Sequence, residues 1–131
     1  MTDLQTAGVY IAVNIILLVY LAFRVVTRRF KGKVVLGDGG DQDLALAIRV
    51  HGNAAEYVPA AMIGLLALTM LQAGSLIIHI LGGAFTFGRL LHAFGFSKGV
   101  LPGRQIGMML TWLPMLGIAG VILWKAFTPV A

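Results

Sequence analysis

The chain has 131 residues, of which 59% are hydrophobic and only 11% are charged. A water-soluble domain of this size buries only about two thirds of the surface of its unfolded chain, so this apolar content indicates an integral membrane protein. The net charge of +5 is concentrated beside one apolar run, which is typical of a membrane flank and not of a nucleic-acid surface. The absence of cysteine excludes disulfides, thiolate metal ligands and a thiol nucleophile.

The first predicted membrane span runs from about residue 6 to residue 23, and its eighteen residues reach about 27 Å as a helix, enough to cross a bilayer. Asn14 is the polar residue inside it, and we predict that Asn14 hydrogen-bonds to a neighbouring helix. The basic residues that follow are predicted to end the helix at the cytoplasmic headgroups; they are Arg24, Arg28, Arg29, Lys31 and Lys33.

A glycine-rich and aspartate-rich linker then precedes the second span. Residues 34–43 contain Gly-Asp-Gly-Gly-Asp, which is typical of turns, and Asp41 or Asp43 is suited to cap the next helix. That helix is predicted over about residues 44–71. It is longer than one crossing, so its first two turns should lie at the level of the cytoplasmic headgroups.

Two further spans complete a single predicted domain over residues 1–131. They cover about residues 75–92 and 106–127, and Gly103 and Gly107, four residues apart, favour close packing of the last helix. The predicted fold is all-α, an integral membrane four-helix bundle. The basic loops place both termini on the non-cytoplasmic side of the membrane.

Polar residues cluster on one face of the second helix. Arg49, Asn53 and Glu56 fall at 0°, about 40° and about −20° around a helix with 3.6 residues per turn. An ionised residue at the centre of a membrane helix costs about 2.5–3.5 kcal/mol, so this face should meet a partner or a ligand and not lipid. In the third span, Arg89 and His92 also share a face.

The two polar faces are predicted to meet at the same depth. The central hypothesis is that Glu56 and Arg89 point into one water-reachable crevice that opens towards the cell interior. A purely structural ion pair between these two residues is the alternative. A metal site is not predicted, because His51, Glu56 and His92 do not form a ligand spacing on one helix and the arginines would repel a divalent ion.

These motifs resemble those of the MAPEG family, the membrane-associated proteins in eicosanoid and glutathione metabolism. Residues 49–59, Arg-Val-His-Gly-Asn-Ala-Ala-Glu-Tyr-Val-Pro, are similar to the RxHxNxxE signature on the second helix of the family, which a proline follows. Arg89 and His92 are similar to its third-helix RxxH motif, and Arg104 falls where the family has an arginine just before its fourth helix. The linker Gly37-Asp38-Gly39-Gly40 resembles that of bacterial members, which implies that the protein lies in the bacterial cytoplasmic membrane.

The resemblance implies a homotrimer that binds glutathione as co-substrate between adjacent subunits, near the cytoplasmic face, while a small lipophilic substrate arrives from the lipid bilayer. It implies that Glu56 pairs with the α-amino group of glutathione and that arginines pair with its carboxylates. It also implies that Arg104 is the catalytic residue that stabilises the thiolate. The residues implied to bind glutathione are Arg49, Asn53, Glu56, Arg89 and His92, and we expect Arg28 or Arg29 at the end of the first helix to supply another contact to a carboxylate.

One position departs from the family pattern. Glutathione-active members often have a tyrosine where this chain has Phe96, which has no hydroxyl to donate to a thiolate. The first functional hypothesis is a glutathione-dependent membrane transferase or peroxidase that conjugates or reduces hydrophobic electrophiles. The second is a catalytically weak glutathione-binding or lipid-binding protein of the same fold. A transporter is disfavoured, because the polar groups cluster at one end and do not line a path across the membrane.

Overall fold

The computed structural model describes residues 1–99 and 101–128 and contains four α helices and no strand within them. They are α1 (Asp3–Gly32), α2 (Gln42–Met70), α3 (Ser75–Ser97) and α4 (Leu101–Phe127). Within those described residues, each of the four helices is long enough and apolar enough to cross a membrane. The prediction of an all-helical fold with four helices of membrane-spanning length is confirmed.

Helix α1 is longer than predicted, because it continues through the basic segment to Gly32. Arginine and lysine are good helix formers, and cations in the last turn interact favourably with the helix dipole. The helix ends where Lys33 adopts a left-handed conformation with φ 52° and donates its N–H to the carbonyls of Arg29 and Phe30. Its 30 residues span about 45 Å, so the basic end extends beyond a hydrocarbon core of about 30 Å.

Helix α2 begins at a side-chain cap. The carboxylate of Asp41 accepts hydrogen bonds from the backbone N–H groups of Asp43 and Leu44, so Asp41, one of the two predicted candidates, is the cap. At the other end of the helix, Gly74 has φ 95°, a conformation that glycine adopts without steric cost, and this allows α3 to turn back along α2.

The two ends of the described chain lie beside the turn between α2 and α3. Asp3 accepts hydrogen bonds from the Ser75 hydroxyl at 2.6 Å and from the Gly74 N–H at 3.1 Å. Lys125 donates its Nζ to the carbonyl of Gln72 at 3.2 Å. The linker between α1 and α2 and the connection between α3 and α4 therefore lie together at the opposite, basic end.

A buried polar contact joins α1 to α3 near the middle of the bundle. Asn14, which is fully buried, donates its Nδ2 to Thr86 Oγ1 at 2.8 Å and to the Tyr10 carbonyl at 2.8 Å. A side-chain amide at this depth needs such partners, because neither lipid nor an apolar core offers a hydrogen bond. The predicted cross-helix bond of Asn14 is confirmed.

The contact between α3 and α4 is the most extensive one between helices and depends on glycine. A Cβ atom built on Gly107 would lie 2.6 Å from the backbone nitrogen of His92, and one built on Gly88 would lie 2.8 Å from the Leu110 carbonyl oxygen. At these distances the backbones of α3 and α4 are in van der Waals contact. A side chain in place of either glycine would prevent that contact. This approach places His92 and its neighbours on α3 directly against α4.

Substitution of Gly107 with alanine is expected to destabilise the protein by about 2 kcal/mol, because the new methyl group would overlap the α3 backbone, which cannot move aside cheaply. Gly120→Ala on the same helix is the control, since its Cβ would meet no atom of the described residues within 4 Å. That change should raise stability by up to about 1 kcal/mol through helix propensity. Thermal unfolding in detergent compares the two variants, and equal shifts would contradict the close contact.

Candidate functional site

Arg49 and Glu56 form an ion pair on the surface of α2. Arg49 Nη1 lies 3.0 Å from Glu56 Oε1, and the side chains are 55% and 51% exposed in the isolated chain. The residues are seven positions apart, so two helical turns place them one above the other on the same face, as the spacing predicted. A cation and an anion are thus available side by side to a ligand that carries both charges.

The position of Glu56 along α2 makes its exposure unusual. Glu56 lies about 21 Å along α2 from the first residue of the helix, close to its middle. A carboxylate at this position of a membrane-spanning helix is costly if acyl chains cover it, whereas Arg49 lies about 10 Å nearer the start of α2, in the turns predicted to lie at the headgroups. The face that carries Arg49 and Glu56 therefore requires a polar cover, which another copy of the chain, bound water or a polar ligand can supply.

Arg89 lies inside the bundle and connects three helices. It is fully buried, and its Nη2 donates to Asn53 Oδ1 on α2 at 2.8 Å. Its Nη1 donates to Thr111 Oγ1 on α4 at 3.2 Å, while Thr111 in turn donates to the Gly107 carbonyl at 2.8 Å. His92 Nδ1 lies 3.4 Å from Arg89 Nη2. The guanidinium thereby fixes α2 and α4 relative to α3.

The predicted site residues consequently fall into two adjoining groups. Asn53, Arg89 and His92 are buried together, whereas Glu56 pairs with Arg49 on the surface. Asn53 is rotated by about 60° from Glu56 around the helix, which is enough to place one side chain inside and the other outside. Among the described residues, Glu56 forms its ion pair with Arg49 and not with Arg89. Arg89 instead donates a hydrogen bond to Asn53, so the predicted common crevice of Glu56 and Arg89 is not formed within one chain.

Phe96 connects His92 with Arg104. The rings of His92 and Phe96 meet edge to face with centroids 5.4 Å apart. The guanidinium carbon of Arg104 lies 4.3 Å from the centroid of the Phe96 ring, a cation–π contact worth about 0.5–1 kcal/mol at an exposed position. Phe96, at the position of the family's tyrosine, thus contacts Arg104. Arg104 is the residue that the resemblance implies is catalytic.

Arg28 stands apart from the other predicted site residues. Its Nη1 lies 3.6 Å from Asp43 Oδ2, with side-chain exposures of 38% and 77%, so the pair links the end of α1 to the start of α2. An exposed pair of this kind contributes little to stability. Arg28 therefore remains available to an anionic group at the basic end of the bundle.

Thr111 belongs to the buried network but was not predicted as a site residue. It is the one serine or threonine within the predicted fourth span, residues 106–127, and a lone hydroxyl in such a span is a usable signal, because it needs a partner. Met108, whose sulfur lies 3.9 Å from Arg89 Nη1, has no comparable signal, since methionine is common in apolar helices.

Comparison with known proteins agrees with the motif resemblance. The model of the MAPEG family matches residues 7–124 of the chain. Over 120 residues the chain is 37% identical to the inner membrane protein YecN of Escherichia coli strain K12, an alignment that covers 92% of each protein. The same identity and coverage hold for the inner membrane protein YecN of Escherichia coli O6:H1 strain CFT073. With a family match over almost its whole length, the chain belongs to the MAPEG family and is similar to a bacterial inner membrane protein.

Proposed function

We propose that the protein is a glutathione-dependent membrane transferase or peroxidase that acts on hydrophobic electrophiles. The observation that carries this proposal is the half-exposed pair of Arg49 and Glu56 on the membrane-spanning helix α2. Such a pair is unfavourable against lipid and favourable against a small zwitterionic ligand. Membership in the MAPEG family supports the choice of glutathione as that ligand.

Glutathione is chemically complementary to this face. It carries two carboxylates and one ammonium group, so Glu56 receives the ammonium and Arg49 receives one carboxylate, while Arg28, at the basic end, is available to the other. Arginine suits this role because its planar fork of donors binds a carboxylate through two parallel hydrogen bonds. Asn53, Arg89 and His92 form the buried wall behind the ligand, where Arg89 acts as a positioning residue.

The same face implies association of the chain with itself. A second copy would remove the ion pair from lipid and enclose the bound peptide, and the family resemblance gives three copies in a closed ring. The basic end carries the linker and the connection between α3 and α4, so the positive-inside rule places it in the cytoplasm and both termini on the opposite side. The lipophilic substrate enters from the surrounding bilayer.

Arg104 supplies the chemistry in this proposal. A guanidinium beside the thiol of glutathione favours the thiolate, which is the nucleophile. In the transferase reaction the sulfur forms a bond to an electrophilic carbon, and the electron pair of the broken bond leaves with the displaced group. In the peroxidase reaction two glutathione molecules are oxidised to the disulfide while a hydroperoxide is reduced to an alcohol and water.

The role of Arg104 is tested by the ultraviolet absorbance of the thiolate when glutathione is added to the purified protein. Wild type should show a saturable increase, and Arg104→Gln should reduce the thiolate formed by about tenfold, a modest effect because the cation is exposed and partly screened. Lys98→Gln removes an exposed cation at the same end and should leave the signal unchanged. An unchanged signal in Arg104→Gln would exclude the assigned role.

The second candidate function is glutathione binding with weak catalysis, and Phe96 is the observation that favours it. Phe96 lies beneath Arg104 but has no hydroxyl to donate. Phe96→Tyr should raise turnover of a model electrophile by about tenfold, because it adds one hydrogen-bond donor near the proposed thiolate. Steady-state kinetics on both proteins separate the candidates: measurable wild-type turnover supports the transferase, whereas turnover seen only in Phe96→Tyr supports the binding protein.

A further inference from the structure

We propose that a groove between α1 and α3 binds one anionic glycerophospholipid, with the phosphate on Arg24. The groove has a volume of about 220 Å³. Its walls are apolar side chains from the two helices, and Arg24 closes it at the basic end. The wall includes Val13, Ile16 and Tyr20 of α1 and Leu90, Ala93 and Phe94 of α3.

The guanidinium of Arg24 is held in place by the facing helix. Its Nη1 donates to Ser97 Oγ at 2.8 Å, so the side chain bridges α1 and α3 at the mouth of the groove. An arginine that merely extends towards water at a membrane surface needs no such partner. A guanidinium carries five N–H donors, and the hydrogen bond to Ser97 uses one of them, so further donors are available to a phosphate.

The length of the groove matches one leaflet. Val13 and Arg24 are eleven residues apart in α1, which corresponds to about 17 Å along the helix, and half of a hydrocarbon core of about 30 Å is about 15 Å. An acyl chain that lies along Val13, Ile16 and Tyr20 therefore begins near the middle of the membrane. It ends with its headgroup at the level of Arg24.

The anion that meets Arg24 is better supplied by lipid than by a second copy of the chain. No aspartate or glutamate occurs in residues 57–131. The aspartates at the basic end are already engaged within the chain, since Asp43 pairs with Arg28, Asp41 caps α2 and Asp38 accepts a hydrogen bond from the Gly40 N–H. An acidic lipid phosphate offers the missing charge, and a basic residue near an anionic membrane surface is worth about 1 kcal/mol.

Native mass spectrometry of the purified protein tests this proposal, with phosphatidylglycerol as the probe and phosphatidylcholine as the comparison lipid. Wild type should retain about one phosphatidylglycerol per chain and less phosphatidylcholine. Arg24→Gln should weaken retention by about fivefold, the factor that corresponds to about 1 kcal/mol. Lys31→Gln, which removes an exposed cation from the same helix end, should have little effect.

A second variant tests whether the acyl chain occupies the groove. Ala93→Leu fills part of the space between α1 and α3 without a change in charge, and it should also reduce retention of phosphatidylglycerol by several fold. Circular dichroism confirms that each variant is folded. Equal losses in Arg24→Gln and Lys31→Gln, full retention in Ala93→Leu, or equal retention of the two lipids by wild type would each overturn the proposal.

Discussion

Replacement of Glu56 with glutamine is expected to raise the dissociation constant for glutathione by about thirtyfold. Loss of one charge-assisted hydrogen bond costs about 2 kcal/mol, and this converts to that factor at room temperature. The ammonium group of the ligand would lose its anionic partner, while the shape of the side chain and of α2 would be kept. Calorimetric titration of the detergent-solubilised protein measures the change.

Asp38→Asn is the matched control for Glu56→Gln. It removes the same charge from an exposed position in the linker, at the basic end of the molecule but away from the α2 face. Its dissociation constant for glutathione should equal that of wild type. If both variants bound glutathione as tightly as wild type, Glu56 would have no part in recognition, and the ion pair with Arg49 would be structural only.

Substitution of Asn53 with alanine is expected to destabilise the protein by about 3 kcal/mol. The guanidinium of Arg89 is fully buried, and Asn53 Oδ1 accepts its hydrogen bond at 2.8 Å. Removal of that acceptor leaves a buried charge short of a partner, which costs more than the loss of an ordinary hydrogen bond. The temperature of thermal unfolding in detergent should fall accordingly.

Two further variants distinguish the hydrogen bond from the packing of Asn53. Asn53→Asp keeps an acceptor at the same place and should retain more stability than Asn53→Ala. The double variant Asn53→Leu, Arg89→Met removes donor and acceptor together and should be more stable than Asn53→Ala, because no buried charge remains. An Asn53→Ala protein that unfolds at the wild-type temperature would show that Arg89 does not depend on this contact.

The fold could be predicted from the sequence because few kinds of backbone structure can span a bilayer. Four apolar runs of membrane-spanning length predict four helices, since a helix satisfies its own backbone hydrogen bonds in lipid. The end of α1 was not predicted correctly. The basic residues from Arg24 to Lys31 were interpreted as the end of the helix, but arginine and lysine also favour helix, and α1 continues through them. Hydropathy locates the membrane boundary, whereas the left-handed residue Lys33 ends the helix.

The candidate site followed from the sequence only in part. Helical spacing was sufficient to place Arg49 above Glu56, because both residues lie on one rigid helix. The partners of Arg89 depend instead on how closely α3 approaches α4, and that distance is set by Gly88 and Gly107. Helical spacing therefore predicted one crevice for Glu56 and Arg89. In the packed structure, Arg89 points into the bundle and bonds to Asn53.

The most direct test of the central claim is the reaction of a cysteine at position 56 with a membrane-impermeant maleimide. The chain has no cysteine, so Glu56→Cys carries a unique thiol, and the reaction requires a thiolate in contact with water. We expect labelling in membrane vesicles whose cytoplasmic face is outward, and slower labelling when glutathione sulfonate, which has no thiol, is present at a concentration high enough to offset the roughly thirtyfold weaker binding caused by loss of the carboxylate. A thiol that reacts only after detergent has dissolved the membrane would contradict the account, because position 56 would then face lipid.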